Sequence, residues 1–289
     1  MKKDRHNDIQ ASRDSRTAPT ISLIVTTYNR PVALDKVFQS ISRLIEFPDE
    51  IIIADDGSTA DTADVIDQWR DRLPCRVEHA WQEDCGFRAA RIRNLATNHS
   101  TGDYLVYLDG DCLIFPDFIT QHRQLAESGY FVAGNRILLS KQLTENLELS
   151  YDPPTEWSLT RWLKARYAGD VNRLSPLIRL GDRYWRKIRG SQWQGVRTCN
   201  LGVWREDLSA VNGFDEQFIG WGHEDADLAV RLIKYGSRRK DGRFAVPVLH
   251  LWHKENPRNQ ERTNWEKLNE SLANKSSYRA LQGLNESQH

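Results

Sequence analysis

Two acidic clusters, far apart in the chain, are the residues whose types and spacing can do chemistry. The first is Asp109-Gly110-Asp111. Two carboxylates separated by one small residue can offer oxygens to Mg2+ or Mn2+, and such a cation can bridge a substrate diphosphate. The second is Gly220-Trp221-Gly222-His223-Glu224-Asp225-Ala226-Asp227, which follows Asn212-Gly213-Phe214-Asp215. Glycines let a backbone approach a ligand closely, a tryptophan face suits a sugar ring, and a crowded carboxylate pair is a source of a general base. Each cluster also has a plain reading. Asp-Gly is a common turn, and acids in the first turn of a helix cap free N–H groups and match its dipole. Asp227 is assigned to that plain role.

The surrounding sequence must bring these groups together. From Ile21 short apolar runs alternate with amphipathic stretches, which predicts βα units and a mainly parallel sheet. Strands are expected at Ile21–Thr26, Ile51–Ala54, Arg76–Ala80 and Tyr104–Leu108, with helices at Pro31–Leu44, Ala60–Trp69 and Phe87–Asn98. The polar segments after Thr26, Ala54 and Leu108 then meet at the carboxyl edge of the sheet, where open α/β sheets bind ligands. Asp109 and Asp111 arrive there at the end of a strand. Asp55-Asp56-Gly57-Ser58 arrives as either a turn with a helix cap or a nucleotide contact, and Tyr28 in Thr26-Thr27-Tyr28-Asn29 can stack on a base. Gly86 to Asn94 supplies Arg88, Arg91 and Arg93 around a helix start, at least one of them facing the ligand. In the second half, helices are expected at Arg205–Val211 and His223–Tyr235, and a strand at Phe244–Leu249. The stretch from Ser140 to Arg197 has no clean period. Beyond Asn256 the chain reads as polar and helical, with little apolar content to hold it down.

These motifs together resemble the family-2 glycosyltransferases of the GT-A fold. The residues are Thr26-Thr-Tyr-Asn-Arg30, Asp55-Asp-Gly-Ser58, Arg93-Asn94 and Asp109-Gly-Asp111, in that family's order and approximate spacing. Asn212-Gly-Phe-Asp215 and Trp221-Gly-His-Glu-Asp225 are similar to the acceptor-side motif of β-1,4-galactosyltransferases and bacterial chondroitin polymerases. The resemblance spans Ile21 to Asn256. It implies a Rossmann-like nucleotide-binding sheet merged with an acceptor-binding half. It further implies that Thr26, Tyr28 and Asp56 hold the uridine with Asp84 and Arg93 nearby, and that Asp109 contacts ribose or metal. Asp111 would be the main ligand of Mn2+ or Mg2+, completed by His253, with His250 as a second candidate. Asp225 would be the catalytic base, and Glu224, with Trp221, Gly222 and His223, would bind the acceptor. Many relatives have glycine where this chain has His223, so their acceptor preference does not carry over. The implied reaction moves a sugar from a nucleotide sugar, a UDP-hexose or UDP-N-acetylhexosamine, to a glycan or lipid-linked glycan of a bacterial surface polysaccharide or lipopolysaccharide. The rivals are a sugar-1-phosphate nucleotidyltransferase and a non-catalytic nucleotide-sugar-binding module. The first would carry a Gly-rich phosphate loop where Thr26-Thr-Tyr-Asn29 stands.

Composition narrows the partners. The 289 residues suffice for one large domain or two joined halves, and the formal net charge of zero gives no electrostatic case for nucleic acid. Cys75, Cys85, Cys112 and Cys199 are scattered, which argues against a zinc or disulfide framework and fits a reducing cytoplasm. The expected organisation is a disordered tail over 1–19, a nucleotide-sugar half over 20–130, an acceptor half over 131–256 and a polar extension over 257–289. Within the acceptor half, residues 157–197 are basic and interleaved with Trp157, Trp162, Trp185 and Trp193. Such a stretch suits an anionic membrane surface, here the inner face of the cytoplasmic membrane, or else a solvated insertion whose tryptophans pack inward.

Overall fold

The computed structural model describes residues 18–150, 152–254, 258–274 and 276–285. The tail expected over 1–19 lies outside the described residues except for its last two, and so does the junction at 256–257. Strands β1 (Ile21–Thr27), β2 (Glu50–Asp55), β3 (Arg76–Trp81) and β4 (Tyr104–Asp109) form a parallel sheet in the order β3-β2-β1-β4. Helices α1 (Pro31–Ile41), α2 (Ala60–Arg70) and α3 (Ala89–His99) are the crossovers. Leu23, Val25, Ile51 and Ile53 join one core cluster, and Ile24, Ile52 and Ala54 join another. Successive strand residues point to opposite faces, so a continuous apolar run is what a sheet covered on both sides requires.

The sheet does not stop at these four strands. β8 (Asn200–Trp204) lies antiparallel to β4 and to β6 (Tyr130–Ala133), and β9 (Arg238–Asp241) lies parallel to β6. The result is a seven-stranded sheet in the order β3-β2-β1-β4-β8-β6-β9. A second, three-stranded sheet has β10 (Pro247–His250) between β5 (Cys112–Ile114) and β7 (Asn135–Leu138). Helix α4 (Phe118–Leu125) follows β5; α7 (Arg205–Ala210) and α8 (Glu224–Tyr235) follow β8.

Three expectations need correction. The late strand starts at Pro247 rather than Phe244, because Phe244 has φ +63° in a turn closed by the Val246 N–H to the Gly242 carbonyl, 3.0 Å. The aperiodic stretch after Ser140 holds helices α5 (Lys141–Leu149) and α6 (Leu159–Ala168), each capped by a serine whose hydroxyl accepts an N–H of its first turn. Three of its tryptophans follow the inward-packing alternative: Trp162 is buried, and Trp157 and Trp193 pack against the core clusters. Finally, the C-terminal stretch is held down. Helix α9 (Glu261–Ala273) buries Asn264 and Leu268, and Leu284 enters the core cluster that contains Phe214 and Leu228. Polar anchors replace the missing apolar stripe, since Asn264 and Lys267 donate to the carbonyls of Ile219 and Gln217.

Candidate active site

The ends of β1, β2 and β4 open into a cavity of about 670 Å3. Thr26, Tyr28 and Asp56 all line it. Asp56 is buried and accepts the Arg88 N–H at 2.8 Å; burial raises its pKa above the usual carboxylate value. Tyr28 stays half-exposed, and its hydroxyl donates to Asp84 at 2.9 Å. Asp84 is therefore an outer residue that fixes the Tyr28 ring and does not itself line the cavity. Gly110 sits where a Cβ would come 2.9 Å from the Thr26 carbonyl, and its N–H donates to that oxygen at 2.7 Å. The small residue between the two aspartates is what lets β4 turn against β1.

Strand pairing brings a carboxylate and two imidazoles together. β5 begins directly after Asp111 and pairs antiparallel with β10, so that His250 stands opposite Cys112. Ligand atoms of Asp111, His250 and His253 lie within 4.8 Å of one another. His250 Nε2 is 3.6 Å from one Asp111 carboxylate oxygen and His253 Nε2 3.5 Å from the other. Both histidines thus converge on Asp111, and burial lowers the His250 pKa, which favours the neutral, ligating form. One carboxylate with two imidazoles is a set that fits a divalent cation. Arg30 closes the Thr26–Arg30 motif, and the sequence gives it no role. Its guanidinium pairs with Asp111 at 2.7 Å, on the same oxygen that His253 approaches.

Arg93 ties this side to the acidic helix start. It is buried, donates to Thr26 Oγ1 at 3.3 Å, and lies 3.4 Å from Asp109, 3.4 Å from Glu224 and 3.9 Å from Asp225. Burial pushes Glu224 up to about 7, reinforced by the Asp225 charge and opposed by Arg93; burial likewise pushes Asp109 up to about 6. Asp225 is fixed by the Thr198 hydroxyl, which donates to it at 2.7 Å. Thr198 had no signal in the sequence, because it lies just before β8 and reaches Asp225 only through the sheet pairing. Trp221 lines the cavity, as does Arg258, whose guanidinium lies over the Trp221 ring 4.6 Å from its centroid. Gly222 and His223 do not line it. His223 has φ +73°, and its ring packs on Trp265 of α9 with centroids 5.1 Å apart. Asp227 makes a buried ion pair with Arg231 at 2.7 Å, the plain structural role assigned to it.

A nucleotide-type parallel sheet with an Asp/His cluster at its carboxyl edge, facing an acidic helix start, has the architecture of GT-A glycosyltransferases. The fold matches the mannosyltransferase PcManGT of Pyrobaculum calidifontis, solved with GDP-Man and Mn2+, at TM-score 0.57 and 18% identity over 83% of this chain and 59% of that one. It matches Staphylococcus aureus TarS 1–349, solved with UDP, at TM-score 0.57 and 13% identity over 93% and 68%. Residues 22–170 match glycosyl transferase family 2, and residues 187–251 match the N-terminal domain of galactosyltransferase. The chain belongs to glycosyl transferase family 2. It is 29% identical to validoxylamine A glucosyltransferase of Streptomyces hygroscopicus subsp. limoneus over 75% of this chain and 49% of that protein. It is 28% identical to hyaluronan synthase of Pasteurella multocida over 85% and 26%, and 27% identical to a Campylobacter jejuni GalNAc(5)-diNAcBac-PP-undecaprenol beta-1,3-glucosyltransferase over 53% and 50%. The chain thus spans about half of the first and last of these relatives and about a quarter of the second. No helix among the described residues is long and apolar enough to cross a membrane.

Proposed function

We propose that this chain is an inverting, metal-dependent glycosyltransferase that moves a hexose or N-acetylhexosamine from UDP to a glycan or lipid-linked glycan, forming a β-glycosidic bond in bacterial surface polysaccharide. The observation that carries this reading is the single cavity lined by both the Asp111–His250–His253 group and the Glu224–Asp225 pair. Asp225, held by Thr198 and nearer the surface than Glu224, would take the proton from an acceptor hydroxyl as that oxygen attacks the anomeric carbon. Glu224 accepts a hydrogen bond from Arg93 and would orient the acceptor sugar over Trp221. Thr26, Tyr28 and Asp56 would hold the nucleotide. Asp111, His250 and His253 would hold Mn2+ or Mg2+, which when bound neutralises charge developing on the leaving diphosphate. The glucosyltransferase and polysaccharide-synthase relatives support sugar transfer, and the undecaprenol-linked relative supports a lipid-linked acceptor.

An anionic membrane face is the accompanying partner in this proposal. Leu159, Leu163 and Tyr167 are exposed at helical spacing on α6, beside the exposed Lys164 and Arg166. Salt-sensitive binding to phosphatidylglycerol vesicles, weakened by Leu163→Asp, is the expected result. Equal binding to neutral vesicles would remove the electrostatic part. For the reaction itself, the test is hydrolysis of a nucleotide-sugar panel with Mn2+ or Mg2+, followed by transfer to glycan acceptors. Asp225→Asn should keep nucleotide binding and lose transfer by at least ~100-fold. Full transfer in that variant would take Asp225 out of the mechanism.

A further inference from the structure

We propose that helix α9, which lies beyond both matched family regions, is a working part of the acceptor side, with Trp265 as the positioning residue that fixes the turn from which Glu224 and Asp225 project. The matched regions end at residue 251, whereas α9 starts at Glu261. The inference rests on the reading that these two carboxylates face the acceptor.

The turn needs support. His223 carries φ +73°, in the left-handed region that a side chain makes unfavourable and glycine tolerates. Its carbonyl accepts the Asp227 N–H at 2.9 Å and so opens α8, which makes Glu224 and Asp225 the first residues past the strained position. The imidazole lies on Trp265 at 5.1 Å between centroids and 54° between planes, a tilted aromatic contact. The rest of the turn is pressed on the same helix and on Gln260, its N-cap. A Cβ at Gly220 would meet Gln260 at 2.9 Å, Asn264 donates to the Ile219 carbonyl at 3.1 Å, and Lys267 donates to the Gln217 carbonyl. α9 therefore grips the segment 217–223 at its start, middle and end, and Trp265 holds the end next to the carboxylates. Trp265 does not line the cavity, and 45% of its surface is exposed. It contributes little to the core, so removing it separates support of the turn from collapse of the fold.

The test uses the full chain and two independent readouts. Hydrogen exchange should quicken roughly five- to tenfold across 217–223 in Trp265→Ala, in keeping with the loss of one aromatic pair, while β1 to β4 stay protected. Transfer should be followed from UDP-glucose or UDP-N-acetylglucosamine with Mn2+ to a β-N-acetylhexosaminide. There the acceptor KM should rise roughly five- to tenfold with donor KM unchanged. Trp265→Phe should restore both readouts. In a His223→Gly background Trp265→Ala should add nothing, because glycine needs no ring to hold a positive φ. Unchanged exchange in Trp265→Ala overturns the proposal. So does an equal loss in both backgrounds, or a donor KM that moves with the acceptor KM. A parent chain that transfers no sugar from any donor in the panel would defeat the catalytic reading, and the exchange data alone would then decide whether Trp265 holds the turn.

Discussion

Replacing Arg93 by methionine tests the electrostatic design of the cleft most directly. The guanidinium is buried and lies 3.4 Å from Asp109, 3.4 Å from Glu224 and 3.9 Å from Asp225. Removing one partner of a buried ionic group leaves uncompensated charge, which costs about 3–5 kcal/mol. The cost depends on pH because Glu224 can take a proton. Its carboxyl has an ordinary value of 4.5 and is pushed up to about 7 in the fold. A carboxyl raised on folding carries no penalty below its unfolded value. The penalty grows as pH rises between 4.5 and 7 and is complete above that window. In the parent chain this amounts to about 3 kcal/mol of lost stability at pH 8 relative to pH 4, at about 1.4 kcal/mol per pKa unit. Arg93 opposes that rise, so Arg93→Met moves the Glu224 value higher still. The variant should therefore lose most at pH 8 and clearly less at pH 5, where Glu224 is already protonated. Urea unfolding followed by tryptophan fluorescence at pH 5, 6.5 and 8 measures this difference. An equal loss at pH 5 and pH 8, or a loss under about 1 kcal/mol at pH 8, would refute the argument that Arg93 neutralises these carboxylates.

Further outcomes follow from other contacts. Asp111→Ala and His250→Ala should each weaken Mn2+-dependent UDP binding by at least ~10-fold in calorimetry; if only Asp111→Ala has an effect, His250 is not a ligand. Arg30→Ala should tighten Mn2+ binding a few-fold, about the size of a partly exposed ion pair, because the guanidinium holds the Asp111 oxygen that the cation needs. Asp227→Ala should destabilise the fold by about 3–5 kcal/mol by stranding the buried Arg231, while leaving Mn2+ affinity unchanged in the folded protein.

The first half is legible because β1, β2 and β4 are largely apolar runs that must be buried on both faces, as Ile51, Ile52 and Ile53 are. Asp109, Asp111, Glu224 and Asp225 are visible because strand ends and helix starts deliver them. What escapes the sequence depends on long-range pairing or on backbone shape. β5 and β7 are too short to show a period, so the register that sets His250 beside Asp111 is invisible. Thr198 meets Asp225 only after β8 has crossed to β4. The left-handed turn at His223 is not marked by its own residue type, since histidine is an unusual choice there. Trp265 reads as a lone aromatic in a polar helix until the turn it supports is known.

The strand order has a consequence for how this protein can be taken apart and recombined. Because β8 is zipped to β4 from Tyr104 to Leu108 and to β6 on its other edge, the parallel strands and the strands beyond them are not two bodies joined by a hinge. Ile52 from one side shares a hydrophobic cluster with Phe214 and Leu228 from the other. A cut at 130–131 would enter β6 and leave β8 without a neighbour on one side, and losing β8 would bare the edge of β4 to pairing with other chains. Grafting a new sugar preference onto this scaffold is therefore a task for the loops at the strand ends. Exchanging whole halves would have to rebuild the β4–β8 pairing and the shared hydrophobic cluster across the new joint.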